Sequence, residues 1–173
     1  MTPDGSHAIV RWVRPDEVAT YRDFRLRALA DAPDAFSEVL ADAQTRPIEA
    51  WEDRVRRTSA GVESVLLVAA DSATDAWLGM TGCYLDEDDA AVAHVVSVWV
   101  APVARRRGLA GRLVAGARKW AASRGVRMLR LWVTATNLDA QRVYLAAGFI
   151  PTGQTQPLPS KPALHEVEMA CKM

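Results

Sequence analysis

The sequence predicts a mixed α/β fold: a central, mostly antiparallel sheet with about four helices on its faces. Three observations carry that expectation. Short apolar or alternating runs recur along the chain, two of them separated by a polar connection of the hairpin kind. Between the runs lie stretches with helical apolar spacing, several opened by proline, acids or asparagine and two closed by glycine. Strand–helix–strand units follow the hairpin strands, which mixes parallel pairing into the sheet. With 173 residues, half of them hydrophobic, the chain is expected to form one domain over residues 1–173.

Taken in order, residues 8–14 alternate well enough for a first strand. Pro15, Asp16 and Glu17 suit a helix start, with acids at the positive end of the helix dipole, and that helix is expected to reach Ala30. Residues 31–45, broken by Pro33, read as irregular, and residues 47–57 as a second helix. The nearly continuous apolar run 64–70 predicts a strand covered on both faces. Trp77–Leu85 and residues 91–100 predict two more, joined through Asp86, Glu87, Asp88 and Asp89.

A helix over 108–123 follows, with Leu109, Leu113, Ala117, Trp120 and Ala121 in one apolar stripe and Gly125 at its end. Met128–Thr134 is a strand, and Asn137 caps a helix that runs to Ala147 and stops at Gly148. Residues 149–152 and 164–171 close the chain as strands, with a proline-rich turn between them. The expected order is β-α-α-β-β-β-α-β-α-β-β.

Lysine plus arginine number 21 and Asp plus Glu number 21, a zero formal balance that excludes a basic nucleic-acid coat or an acidic disordered tail. No apolar run approaches membrane-spanning length, and the N-terminus has no signal-peptide pattern. Cys83 and Cys171 are too few for a disulfide framework and do not form a zinc motif, so no metal is expected and a cytoplasmic setting is the default.

The charge is unevenly placed. Between Ala90 and Leu138 there is no acid, yet nine cations fall there: Arg105, Arg106, Arg107, Arg112, Arg118, Lys119, Arg124, Arg127 and Arg130. The later arginines read equally well as a solvated helix face. Arg105, Arg106 and Arg107 lie between a strand and the Gly108–Gly111 opening of a helix. Unpaired backbone N–H groups there, small residues and guanidinium groups together suit a phosphate or pyrophosphate. Neither a Walker loop nor a dinucleotide fingerprint is present, and the tryptophans fall in apolar positions rather than interleaving with a basic surface. The expected anion is a small-molecule diphosphate, with no nucleic acid and no membrane as partner.

The run from Val98 through Ala110 resembles the coenzyme A motif of the GNAT superfamily of N-acetyltransferases: an apolar strand, a short turn, then Arg105-x-x-Gly108-x-Ala110. A second element is similar to the family pattern at every fixed position: Asn137-x-x-Ala140-x-x-x-Tyr144-x-x-x-Gly148-Phe149. The order of elements is also the family's. One departure is Arg106, where many members have glycine.

The resemblance implies acetyl-CoA as cosubstrate. Its pyrophosphate would lie on backbone amides from Arg106 through Gly111, including those of Arg107, Gly108, Leu109 and Ala110. Its pantetheine would lie along Val98, Trp99 and Val100, with Val100 or Trp99 donating N–H to the thioester oxygen. Asn137 would contact the coenzyme arm and Tyr144 would protonate the departing thiolate; a phenol is protonated at neutral pH.

For the base, His94 is the candidate on the fourth strand, against a reading as a hydrogen-bonded core histidine. Alternation places Ser97 on the opposite face from His94. Trp132 stands where some relatives that acetylate protein N-termini carry glutamate. The loop 86–89, with Asp31, Asp34 and Glu38, reads either as an attractor for a cationic amine or as solvated acids.

The function expected is N-acetyl transfer to a small amine, with a peptide or protein amine second. A non-catalytic acyl-CoA-binding regulatory module and transfer to a hydroxyl are the alternatives. Either a monomer or a homodimer fits.

Overall fold

A computed structural model describes residues 7–173. Seven strands form one sheet in the order β1-β2-β3-β4-β5-β7-β6: Ala8–Trp12, Ser64–Asp71, Trp77–Leu85, Val92–Val100, Met128–Thr134, Lys161–Lys172 and Ile150–Leu158. Every neighbouring pair is antiparallel except β4 and β5, so the expected mixed, mostly antiparallel sheet is present.

Five α-helices cover it: α1 (Val18–Asp31), α2 (Leu40–Thr45), α3 (Ile48–Ala60), α4 (Leu109–Ser123) and α5 (Leu138–Ala146). One apolar cluster joins α4 and α5 to one face of the sheet. A second joins α1, α2 and α3 to the other.

Several boundaries differ from the sequence reading for physical reasons. Residues 31–45 are not irregular throughout; a 3-10 turn at Pro33–Ala35 precedes α2, which buries Ala43. Glu17 sits at the N-cap of α1, but its side chain makes no capping hydrogen bond. Its carboxylate accepts from the Arg14 N–H, the Arg11 guanidinium and the Trp77 indole, binding the helix start to the sheet. The supposed proline-rich turn is mostly strand. β6 runs on to Leu158, with Pro157 opposite His165, and it can hold prolines because it is the edge of the sheet. Cys83 and Cys171 are both free and buried.

Two contacts fix the parts that later matter. The stripe on α4 seats Leu109, Leu113, Val114, Ala117, Trp120 and Ala121 on the sheet, all of them buried. The end of α1 is fastened to the end of β4. Asp31 occupies the last position of that helix, where a carboxylate meets the negative end of the dipole, and no basic residue occupies the last turn. The compensation comes from elsewhere in the chain: the Trp99 indole N–H donates to Asp31 at 3.0 Å, and Arg105 pairs with the same oxygen. Burial alone would raise the Asp31 pKa, but these hydrogen bonds and the Arg105 charge hold it below its ordinary value.

Leu113→Ala should cost about 2–5 kcal/mol of unfolding free energy in a denaturant titration, because Leu113 is fully buried; a loss under about 1 kcal/mol would contradict the α4 packing described. Asp31→Ala should cost about 1–3 kcal/mol at neutral pH by leaving the buried Trp99 indole N–H without its acceptor and Arg105 without its counterion. A carboxyl with a lowered folded pKa contributes stability above its unfolded value of about 3.9 and loses it as pH falls through the folded value. The gap between parent and Asp31→Ala should therefore shrink below about pH 4. A gap that stays constant down to pH 3 would contradict the pairing.

Candidate functional site

The site begins where the parallel pair ends. β4 and β5 share only three rungs, Val92 to His94 against Met128 to Arg130. Beyond them β4 stays with β3 as far as Val100, and β5 stays with β7 as far as Thr134. The two strands therefore part after His94, and β4 continues with one edge unladdered.

A bulge lies in that stretch. Met80 faces Trp99 and Gly82 faces Val96, so Ser97 and Val98 stand opposite Thr81 alone, and Ser97 has φ 58. Ala101 donates its N–H to the Leu78 carbonyl at 2.8 Å, so the peptide groups of Trp99 and Ala101 face β3. By alternation, Val98 and Val100 present their N–H and C=O to the gap. Consistent with this, the Val100 carbonyl accepts from Arg105 Nε at 3.0 Å. Trp99 differs from its neighbours: its ring packs edge-on against Phe24 in the α1 layer.

The gap leads directly to the loop before α4. After a 3-10 turn at Pro102–Ala104, Arg106 has φ 63 and Gly108 φ 71, both left-handed. The backbone at Arg106 is thus of a kind that glycine adopts most readily, which accounts for the glycine of similar sequences. Helix α4 has no side-chain cap and no acid in its first turn. Arg112 donates to the Gly108 carbonyl, leaving the N–H groups of Leu109, Ala110 and Gly111 without an acceptor in the helix. Nothing lies within 4 Å of where a Cβ would stand at Gly108 or Gly111. Open space and unpaired donors therefore coincide, as an anionic ligand requires.

The three arginines do not act alike. Arg105 turns inward to Val100 and Asp31 and braces the loop, while Arg107 donates to the Val103 carbonyl at 2.9 Å. Arg106 is exposed.

Helix α5 flanks the same face. Asn137 is its N-cap, accepting from the Ala140 N–H at 3.2 Å. Tyr144 is buried one turn from the end, its ring 6.0 Å from that of Phe149 in an edge-on contact. Its hydroxyl makes no hydrogen bond among the described residues, and burial pushes its pKa well above the ordinary phenol value, so it remains protonated.

On the opposite face, a cleft of about 610 Å3 opens beside the parted strands, and a cavity of about 390 Å3 adjoins it. His94, Ser97 and Trp132 all line the cleft. Simple alternation separates His94 from Ser97, but the bulge rotates Ser97 onto the same side, where its hydroxyl accepts from Arg25 at 2.8 Å. His94 Nε2 lies 2.7 Å from Asp86 Oδ2, and its ring stacks on Tyr84 at 5.1 Å. The hydrogen bond with His94 is the main reason that the Asp86 carboxyl lies below its ordinary range.

Most of the acids expected to draw a cation are occupied, Glu87 and Asp88 of the loop being the exceptions among the described residues. Asp31 binds Trp99 and Arg105, Asp34 binds Lys161, Glu38 binds Arg25 and Arg46, and Asp86 binds His94 together with the N–H groups of Asp88 and Asp89.

Several cleft residues were not singled out from sequence. Glu166 lies on β7, buried, accepting from Gln156 Nε2 at 2.9 Å. Its signal was available: Glu166 and Glu168 repeat at period two within an otherwise apolar run. Arg25 and Arg54 on helices, and Arg46 in the turn between α2 and α3, carry no such signal, because arginines there usually face solvent. The cleft roof is tied down by Thr134 Oγ1 donating to the Asp34 carbonyl and Ser160 Oγ donating to that of Phe36.

Comparison with known proteins agrees with this geometry. Residues 18–149, more than half of the chain, match the model of the acetyltransferase (GNAT) family. An aminoglycoside N(6')-acetyltransferase type 1 of Serratia marcescens is 36% identical over 73 residues, 42% of this chain and 47% of that protein. The match thus spans about half the length of that curated relative. A GNAT-family acetyltransferase from Streptococcus pneumoniae superposes with a TM-score of 0.81 at 19% identity, covering 96% of this chain and 99% of that one. The spermidine N-acetyltransferase of Vibrio cholerae, solved with CoA and spermine, does so with a TM-score of 0.75 at 14% identity over 96% of each chain. No helix among the described residues is long and apolar enough to cross a membrane. An opened β4 edge that runs into an uncapped helix start, on a chain matching the family over most of its length, places this protein in the GNAT family of acetyltransferases.

Proposed function

We propose that the protein transfers an acetyl group from acetyl-CoA to the amine of a small molecule by direct attack, as one domain. The observation that carries this reading is the continuity of the β4 gap with the open, uncapped start of α4, so that one extended acyl donor can use both. Residues 106–111 would hold the pyrophosphate on backbone amides, with the Arg106 charge beside it. Val98 and Val100 would take the pantetheine arm as an added strand, and the Val100 N–H, open to the gap, would face the thioester oxygen. Asn137 keeps its side-chain N–H groups for the coenzyme arm, since capping uses only its carbonyl oxygen.

The acceptor would enter from the cleft on the other face. The amine nitrogen attacks the thioester carbonyl carbon, the oxygen gathers charge against the β4 amide, and the C–S bond breaks as the carbonyl re-forms. Tyr144 gives its phenolic proton to the departing thiolate. The ammonium-side proton leaves through His94. With Nε2–H donated to the ionised Asp86, Nδ1 carries the lone pair and can accept, directly or through water.

An acyl-cysteine route has no support. Cys83 lines the adjoining cavity, but burial pushes its thiol up to about 12, leaving no thiolate. Tyr144, packed in the same apolar layer as α4, supports an enzyme over a binding module, because binding alone makes no use of a phenolic proton.

Acetyl-CoA and coenzyme A should each raise the melting temperature, and Arg106→Ala and Gly108→Val should weaken that shift; no shift at saturating ligand would refute the donor site. With thiol release measured across a panel of amines, Tyr144→Phe should lower turnover about 10²–10⁴-fold while the heat shift is retained. Full activity in that variant would remove Tyr144 from the mechanism.

A further inference from the structure

The acceptor cleft has an unbalanced wall. Its helix side carries three guanidinium groups, Arg25, Arg46 and Arg54, against one carboxylate, Glu38. Glu38 is shared: Arg25 reaches it through Nε at 3.1 Å and Nη2 at 2.9 Å, and Arg46 pairs with its other oxygen. Arg25 is further satisfied by Ser97 and is almost fully buried. Arg46 lies over the Trp51 ring at 4.8 Å, and its Nη1 is buried with no hydrogen-bond partner among the described residues.

Arg54 has no counterion at all among those residues. The neighbouring Asp53 is taken by Arg56 and Arg57. Arg54 is half-buried, and it lines both the 610 Å3 cleft and the adjoining 390 Å3 cavity, as does Arg46. A partly desolvated cation without a partner is costly, and an incoming anion relieves that cost. The opposite, sheet-side wall holds Glu166 and His94, the latter backed by Asp86 and close to where β4 and β5 part. The cleft is therefore polarised, basic along the helices and acidic or proton-accepting beside the strand gap.

We infer that the acceptor is an amine that also carries an oxyanion, a carboxylate or a phosphonate, held by Arg54 and Arg46 while its amine points to the strand gap. This rests on the acetyl-transfer reading above and narrows it. Bidentate recognition by a guanidinium fixes one end of such a molecule, and Glu166 offers the cationic amine a counter-charge before it is deprotonated at His94. A purely cationic polyamine meets Arg54 without a counterion and two further arginines sharing the single carboxylate of Glu38, and like-charge juxtaposition disfavours it. Arg54 is a specificity residue in this account; it takes no part in the bond exchange.

The test uses matched acceptors: amino acids, the amines left when their carboxylate is removed, and the corresponding aminophosphonates. With acetyl-CoA, thiol release should favour an acid-bearing member over its carboxylate-free partner by at least tenfold in kcat/KM, and the phosphonate arm distinguishes which oxyanion is preferred. Arg54→Gln should raise KM for the acid-bearing amine about tenfold and collapse the discrimination, and Arg54→Lys should restore part of it. The acetyl-CoA heat shift of each variant verifies that it is folded. Preference for carboxylate-free amines, or discrimination indifferent to Arg54→Gln, would overturn the inference while leaving acetyl transfer intact. If no amine is acetylated although acetyl-CoA binds, the transfer reading fails. The oxyanion subsite is then read from heat shifts of the same matched pairs in the presence of coenzyme A, where an Arg54-dependent shift confined to the acid-bearing members supports it and none refutes it.

Discussion

Three rungs of parallel pairing decide the rest of this structure. Had β4 and β5 remained together past His94 and Arg130, the backbone of Val98 and Val100 would be consumed by the ladder and α4 would begin against a closed sheet. Because they part, a stretch of strand edge is left with donors and acceptors unspent, normally a liability in a folded protein. Here the edge is internal, walled by β5 and by the helices on both faces, so another chain cannot easily pair with it while an extended small molecule can.

Holding that gap open needs rigidity on both faces, and the structure supplies it with two unlike devices. Apolar packing of α4 fixes the loop from one side, through Leu109 and Leu113. A small polar knot fixes it from the other. Asp31, at the end of α1, receives Trp99 from β4 and Arg105 from the loop, so the α1 layer and the loop before α4 share one carboxylate. The bulge at Ser97 completes the arrangement. It brings Ser97 to the cleft face beside His94 and returns Trp99 to the α1 layer, while Val98 and Val100 keep their peptides toward the gap.

Much of this was legible in the chain. Period-two runs and a helical stripe mark most of the strands and α4, and the acid-free stretch from Ala90 to Leu138 marks the loop proposed to hold the anion. What the sequence does not display is equally specific. A bulge adds one residue to a strand without a signature in its composition, so alternation placed Ser97 on the wrong face. Helix α2 is six residues long and too short to show a period. The three arginines that loop chemistry groups together are separated by geometry, since Arg105 pairs with Asp31, Arg107 with the Val103 carbonyl, and Arg106 is exposed. The cleft draws on α1, α3, β3, β4, β5, β6 and β7, and contacts that remote in sequence leave no local pattern.

The central claim is that the opened β4 edge and the uncapped start of α4 form one continuous donor site. Amide hydrogen exchange with and without coenzyme A tests it at the residues concerned. The account predicts new protection at Val98, Val100 and residues 106–111 together, with the β1–β2 and β6–β7 ladders unchanged. Protection at the loop without the strand, or coenzyme binding that leaves both sets exchanging as before, would contradict it.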